Sequence, residues 1–333
     1  MKNDKASSFK AKNKKKSTTK KSNAGGRAAN QKLMFDKDGV PIKKQTFAKP
    51  VKEKKAPARK MEHIREKCVG LTTDAKGVVM FNGKELLVPH ILEGEKALIE
   101  VRNSGKFSSR KVVSLMTKSD SRVEPECPYY YDCGGCQLQH MDYQAQLKFK
   151  ENVVTKLLKK YGKVDKIISM DEPYDYRNKA HATYASYENN EVTSGIYEEY
   201  SHKVVSIDRC IIQNPASDAI FNTVKKLAKK YKLRIYNEDT ENGFLRHTLI
   251  RNANATGEIM VVIVVTEKTF PSKAKFMSEL LQAHPEITTI VQSINSKKTT
   301  MVLGDKEIIA HGNGYIEDIQ CGLRFRLSPK SFY

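Results

Sequence analysis

The stretch CPYYYDCGGCQLQH, Cys127 to His140, decides how this chain is read. Five residues separate Cys127 from Cys133, and two separate Cys133 from Cys136. Thiolates at such spacing can converge on one soft metal centre. Gly134 and Gly135 carry no side chains, so the backbone can bend tightly between two ligands and pack close to a bulky group. A fourth cysteine, Cys210, stands far downstream in the stretch DRCIIQ. Zinc sites usually show two short Cys pairs, whereas three local cysteines plus one remote residue is closer to cluster ligation. On spacing, iron–sulfur and zinc both stay open. Cys68 and Cys321 each stand alone in strand-like surroundings and read as small buried hydrophobes.

Downstream of the cluster, Asp142 can cap a helix in which Tyr143, Leu147, Val154, Leu157, Leu158 and Tyr161 recur at helical spacing, up to Gly162. That stripe is expected to be ordinary core packing. Residues 164–330 alternate strand and helix signals. A hairpin is expected from 180–187 and 191–197 across Asn189-Asn190. Helices are expected at 216–231 and 272–283, with strands at 248–252, 258–266, 288–293, 300–303, 315–319 and 323–327. Two-strand-then-helix units predict a mixed sheet with helices on one face. Upstream, five short strands (68–71, 77–81, 85–89, 97–101 and 111–115) are broken by turn residues, with the hairpin signal Asn82-Gly83 among them. They predict a small barrel with a basic loop, 102–110, on its rim.

The net charge of +21 is unevenly placed: residues 1–60 hold 20 Lys+Arg against 4 Asp+Glu. This Lys-rich segment cannot bury enough apolar surface to order itself, and its charge attracts polyanions without reading sequence. The longest apolar run, Ile259 to Val265, is far too short to span a membrane. No secretory signal is legible in the basic opening. A cytoplasmic setting follows, and in a reducing compartment a close cysteine cluster favours metal over disulfides. Basic and aromatic residues interleave at Tyr176-Arg177-Asn178-Lys179 with His181, and at Phe244-Leu245-Arg246-His247 with Arg251. Such groups bind RNA phosphates and unstacked bases, or line a solvated strand face.

Together these residues resemble the uracil-5 RNA methyltransferases that use S-adenosylmethionine. Gly77-Val78-Val79, Val88-Pro89 and Glu93-Gly94-Glu95 look like markers of the family's TRAM barrel. Ser121 to Pro128, with Cys133-Gly134-Gly135-Cys136 and Gln139-His140, resembles its cluster-binding segment, and Cys210 its fourth ligand. The resemblance implies a 4Fe–4S cluster on Cys127, Cys133, Cys136 and Cys210. It implies RNA contacts at Arg177, Lys179, Arg246, His247, Arg251 and Phe332.

The expected fold is α+β and multidomain. It has a disordered tail (1–60), a TRAM/OB-like barrel (61–120), an iron–sulfur loop (121–141) and a mixed α/β central domain (142–327). Ser328-Pro329-Lys330-Ser331-Phe332-Tyr333 resembles the opening of the family's methyltransferase domain. On that basis a Rossmann-like methyltransferase domain is expected to be missing. S-adenosylmethionine is then used only if that domain is supplied, and the chain is a truncated, inactive 23S ribosomal RNA (uracil-5-)-methyltransferase acting as a monomer. Transfer RNA is the less favoured substrate. A stand-alone RNA-binding module and a zinc-stabilised RNA-binding protein are the alternatives.

The chemistry that the resemblance implies is thiolate addition to uracil C6, methylation of the activated C5, and loss of the C5 proton to a base. No catalytic or S-adenosylmethionine-binding residue is identifiable.

Overall fold

A computed structural model describes residues 60–104, 107–187, 191–199 and 201–331. Residues 1–59 of the expected tail, Lys106, Asn189-Asn190 and Phe332-Tyr333 lie outside the described residues. The expected rim loop 102–110 is corrected where it is described: 102–104 and 107–110 belong to two paired strands.

Five antiparallel strands open the described chain: β1 (Lys60–Leu71), β2 (Gly77–Phe81), β3 (Lys84–Val88), β4 (Lys96–Ser104) and β5 (Phe107–Thr117). Their order is β3-β2-β1-β4-β5. β1 serves both halves of the sheet. Lys60 to Lys67 pair with β4, and after a break in register between Cys68 and Gly70 the strand continues along β2. This irregularity bends the strand and lets the sheet curl. Ile64, Cys68, Val79, Val88, Ile91, Ala97, Ile99 and Val101 fill the inside. Gly77 is needed there, because a Cβ would lie 2.2 Å from Ile91 Cγ2. The sequence signal for β1 covered only its last residues, since 60–67 are mostly charged.

The cysteine loop leads to α1 (Tyr143–Leu158), capped by Asp142, whose Oδ1 accepts from Ala145 N at 2.9 Å. Here the structure corrects the expected core stripe. Only Leu147 is buried, while Leu157 is 65% and Tyr161 85% exposed.

The remaining chain supplies β6 (Lys179–Ser186), β7 (Val192–Tyr197), β8 (Val204–Ser206), α2 (Pro215–Lys230), β9 (Leu245–Asn252), β10 (Ile259–Val265), α3 (Lys273–Ala283), β11 (Ile287–Ile294) and β12 (Lys306–His311). The strands form one sheet in the order β12-β11-β10-β9-β6-β7-β8. Only β10 and β11 run parallel, joined through α3; the other neighbours are antiparallel. β10 is buried along its whole length, as its unbroken apolar run requires.

α2 and α3 pack on one face around Ile220, Val224, Phe276, Leu280, Val261 and Ile263. The opposite face, through Leu249, Met260, Val262 and Val264, is covered by the ribbon of β13 (Ile316–Gln320) and β14 (Leu323–Leu327). Residues 300–303 do not form the expected strand. The Asn295 side-chain amide bonds the carbonyls of Met301 (2.7 Å) and Val302 (3.2 Å), and the edge strand forms instead at β12. Among the described residues no helix is long and apolar enough to cross a membrane.

Candidate functional site

Each end of the cysteine loop is tied down. Glu95 is fully buried just before β4 of the five-stranded sheet. Its two oxygens accept from Arg122 Nε (2.5 Å) and Nη2 (2.6 Å), and from the backbone of Ser119 (3.1 Å) and Leu92 (2.8 Å). A carboxylate with four donors stays ionised when buried, and Arg122 is held beside the loop that follows. Within the loop, Tyr130 N and Cys133 N donate to the carbonyls of Cys127 (3.1 Å) and Tyr129 (2.8 Å), winding the chain between the first two cysteines. Tyr130 and His140 are buried together, the hydroxyl 2.6 Å from Nδ1. Burial first, then Arg122, pushes His140 down to about 3, so its ring is neutral. Gly134 passes the end of β7 so closely that a Cβ would sit 3.3 Å from Tyr197 O and Glu199 N.

Cys210 is positioned from another direction. Asp218, in the first turn of α2, accepts from Cys210 N (2.9 Å) and from Arg209 Nη1 (2.9 Å). Arg209 also reaches Asp175 (2.5 Å) and Gln213 O (3.0 Å). These bonds place Cys210 opposite the loop, and Cys127, Cys133, Cys136 and Cys210 line one cavity with Ile196, Ile207, Ile211 and Ile212. Burial raises all four thiols above their ordinary range, and neighbouring cysteines of the group add to the effect. The thiols therefore stay protonated until a cation stabilises the thiolates. Among the described residues, no group of three or more Cys, His, Asp or Glu side chains is placed to hold a metal ion.

The residues expected to touch RNA divide into two groups. Lys179 is exposed on β6, pointing away from the helices with His181, while Ala180 and Ala182 point to the core. Arg177 precedes it, its backbone bonded to Ile212 O (2.9 Å), and its side chain lines the cysteine cavity and the groove beyond it. Arg246, His247 and Arg251 are inside the protein.

Arg246 donates to the carbonyls of Asn295 (3.1 Å), Lys297 (2.8 Å) and Thr299 (3.2 Å) and to Glu238 (3.1 Å), with Tyr236 4.3 Å beneath it. His247 contacts Thr183 Oγ1 at 3.1 Å, and burial pushes it down to about 3. Arg251 donates to Pro329 O (3.2 Å) and Ser331 O. Arg246 and Arg251 therefore hold the protein's own loops, and His247 bonds Thr183 on the neighbouring strand β6; all three side chains, expected to touch RNA, are buried. Phe332 lies outside the described residues. Glu95, Arg122, Arg209 and Asp218 carry the site's geometry, yet no role for them was legible in the sequence.

No family model matches the chain. An uncharacterized RNA methyltransferase of Halalkalibacterium halodurans is 36% identical over 287 residues, covering 84% of this chain and 62% of that protein. One of Clostridium acetobutylicum is 36% identical over 266 residues, covering 78% and 58%. The chain thus spans about three fifths of the length of these relatives. Among solved structures, Pyrococcus abyssi tRNA (uracil-54, C5)-methyltransferase in complex with S-adenosyl-L-homocysteine superposes with a TM-score of 0.63 at 24% identity. It covers 81% of this chain and 60% of that one, a likeness of fold.

These matches correct the expectation of a truncated chain with its Rossmann-like methyltransferase domain missing. They run along most of this chain, which superposes on 60% of the methyltransferase structure. The segment 328–331, expected to begin an absent domain, is bonded to the central sheet through Arg251. Over most of its length, then, the chain is similar to proteins named RNA methyltransferases, and its fold is similar to about three fifths of the Pyrococcus abyssi structure.

Proposed function

We propose that this chain serves S-adenosylmethionine-dependent methylation of RNA at uracil C5, in the cytoplasm, with ribosomal RNA as substrate and transfer RNA disfavoured. Residues 61–120 act as a TRAM-like RNA-binding barrel, 121–141 as the cluster loop and 142–327 as the central domain. The observation that carries the reading is the meeting of Cys127, Cys133 and Cys136 with Cys210 around one cavity. Three local thiols and one remote thiol around a shared space resemble iron–sulfur ligation more than a zinc ribbon with two short cysteine pairs. Those four residues would hold a 4Fe–4S cluster, which when bound cross-links the loop to the start of α2. Glu95–Arg122 and Arg209–Asp218 orient its two halves, and the isoleucines keep water out. The half-buried Arg177 and the exposed Lys179 beside it supply cations for phosphate.

This chain's own part is RNA grip. Of the cysteines outside the quartet, Cys68 is buried in the barrel and Cys321 lies in the turn between β13 and β14. Neither has a carboxylate or imidazole in hydrogen-bond reach among the described residues, so neither is set up as the attacking thiolate. The test incubates purified chain with unmodified ribosomal RNA, unmodified transfer RNA and labelled S-adenosylmethionine. Tighter retention of ribosomal RNA at equal salt, without label transfer, is expected. Equal retention of both RNAs contradicts the substrate, and turnover contradicts the inactivity expected of this chain.

A further inference from the structure

Beside the cysteine cavity, between the loop and α1, lies a groove of about 710 Å³. Three tyrosines, Tyr143, Tyr174 and Tyr176, stand on its walls. Two are fixed: Tyr174 donates to Glu126 (2.8 Å), and Tyr143 accepts from Met170 N (2.9 Å). Tyr176 is 48% exposed and has no hydrogen-bond partner among the described residues. Gln146 uses its amide nitrogen on Met141 O (2.9 Å), which leaves its carbonyl oxygen unpartnered. Arg177 borders both the groove and the thiol cavity and has no acidic partner among the described residues.

Glu124, Glu126 and Asp142 also lie along the groove, so it is not a cationic track for a duplex backbone. Glu126 is engaged by Tyr174, and Asp142 caps α1. Exposed rings, an amide and one uncompensated guanidinium match a single unstacked nucleotide, with a π-face for its base and a cation for its phosphate. The volume falls within the range of small-ligand pockets.

We propose that this groove is a nucleobase site for single-stranded RNA, with the base stacked on Tyr176 and the adjoining phosphate on Arg177. The inference rests on the RNA reading above and adds the place where a strand is held beside the thiol centre. The full chain is titrated with a fluorescent oligo(U) strand and with the same strand carrying abasic sites, at several salt concentrations. Tyr176→Ala weakens oligo(U) binding about ten-fold or more and leaves abasic binding unchanged, while Tyr176→Phe stays within about two-fold. Arg177→Gln weakens both strands and lowers the salt slope by about one.

Unchanged oligo(U) affinity in Tyr176→Ala, or an equal loss on the abasic strand, overturns the site. Tyr176-dependent oligo(U) binding by a chain that shows no preference for ribosomal RNA supports the site and refutes only the ribosomal substrate.

Discussion

Arg246 and Arg251 show how far a residue's neighbours in sequence can mislead. Phe244-Leu245-Arg246-His247 reads as a basic, aromatic surface, yet β9 is buried at every position. Both faces of the central sheet are covered here, so alternation gives no warning and a cation must find its partners inside. Arg246 finds three carbonyls in the segment after β11, and Arg251 finds two after β14. Arg246→Leu would leave those carbonyls without donors. Its expected cost is roughly 3 kcal/mol or more in urea unfolding. RNA affinity of the folded fraction should stay within about two-fold, whereas a large affinity loss at wild-type stability would restore the contact role. Lys179 and the cysteines were legible for a simpler reason. Lys179 alternates with two buried alanines, and three cysteines within ten residues of one loop already lie near one another.

At the scale of elements, strand and helix signals located most of the sheet because β10, β11 and α2 must bury continuous or periodic apolar surface. They failed where side chains replaced backbone pairing, as Asn295 does at Met301 and Val302, and where an edge strand such as β12 is polar. The stripe on α1 has the period of a core face but projects Val154, Leu157, Leu158 and Tyr161 outward. Periodicity fixes which residues share a side of a helix; it does not say what covers that side. Leu157→Glu should therefore change unfolding free energy by less than about 0.5 kcal/mol. A loss of 2 kcal/mol or more, the cost expected of a core leucine, would show that the helix face is covered in solution.

Across the whole molecule, two local clasps converge on one cavity. Glu95–Arg122 ties the barrel to the cysteine loop, and Asp218–Arg209 ties the Cys210 segment to α2. The sequence shows the four thiols but not these clasps, because each joins residues from different elements and neither has a local spacing to detect. Bringing protonated, partly buried thiols together gains nothing by itself, since burial and mutual repulsion both oppose ionisation. The cluster proposed above would complete the arrangement and tie the loop to the Cys210 segment. The most direct measurement is iron, sulfide and zinc content of anaerobically purified chain, wild type beside Cys210→Ser. The account predicts about four irons and four sulfides per wild-type chain, with most of both lost in a variant that remains folded. One zinc and no iron in the wild type, or iron content indifferent to Cys210→Ser, would contradict it.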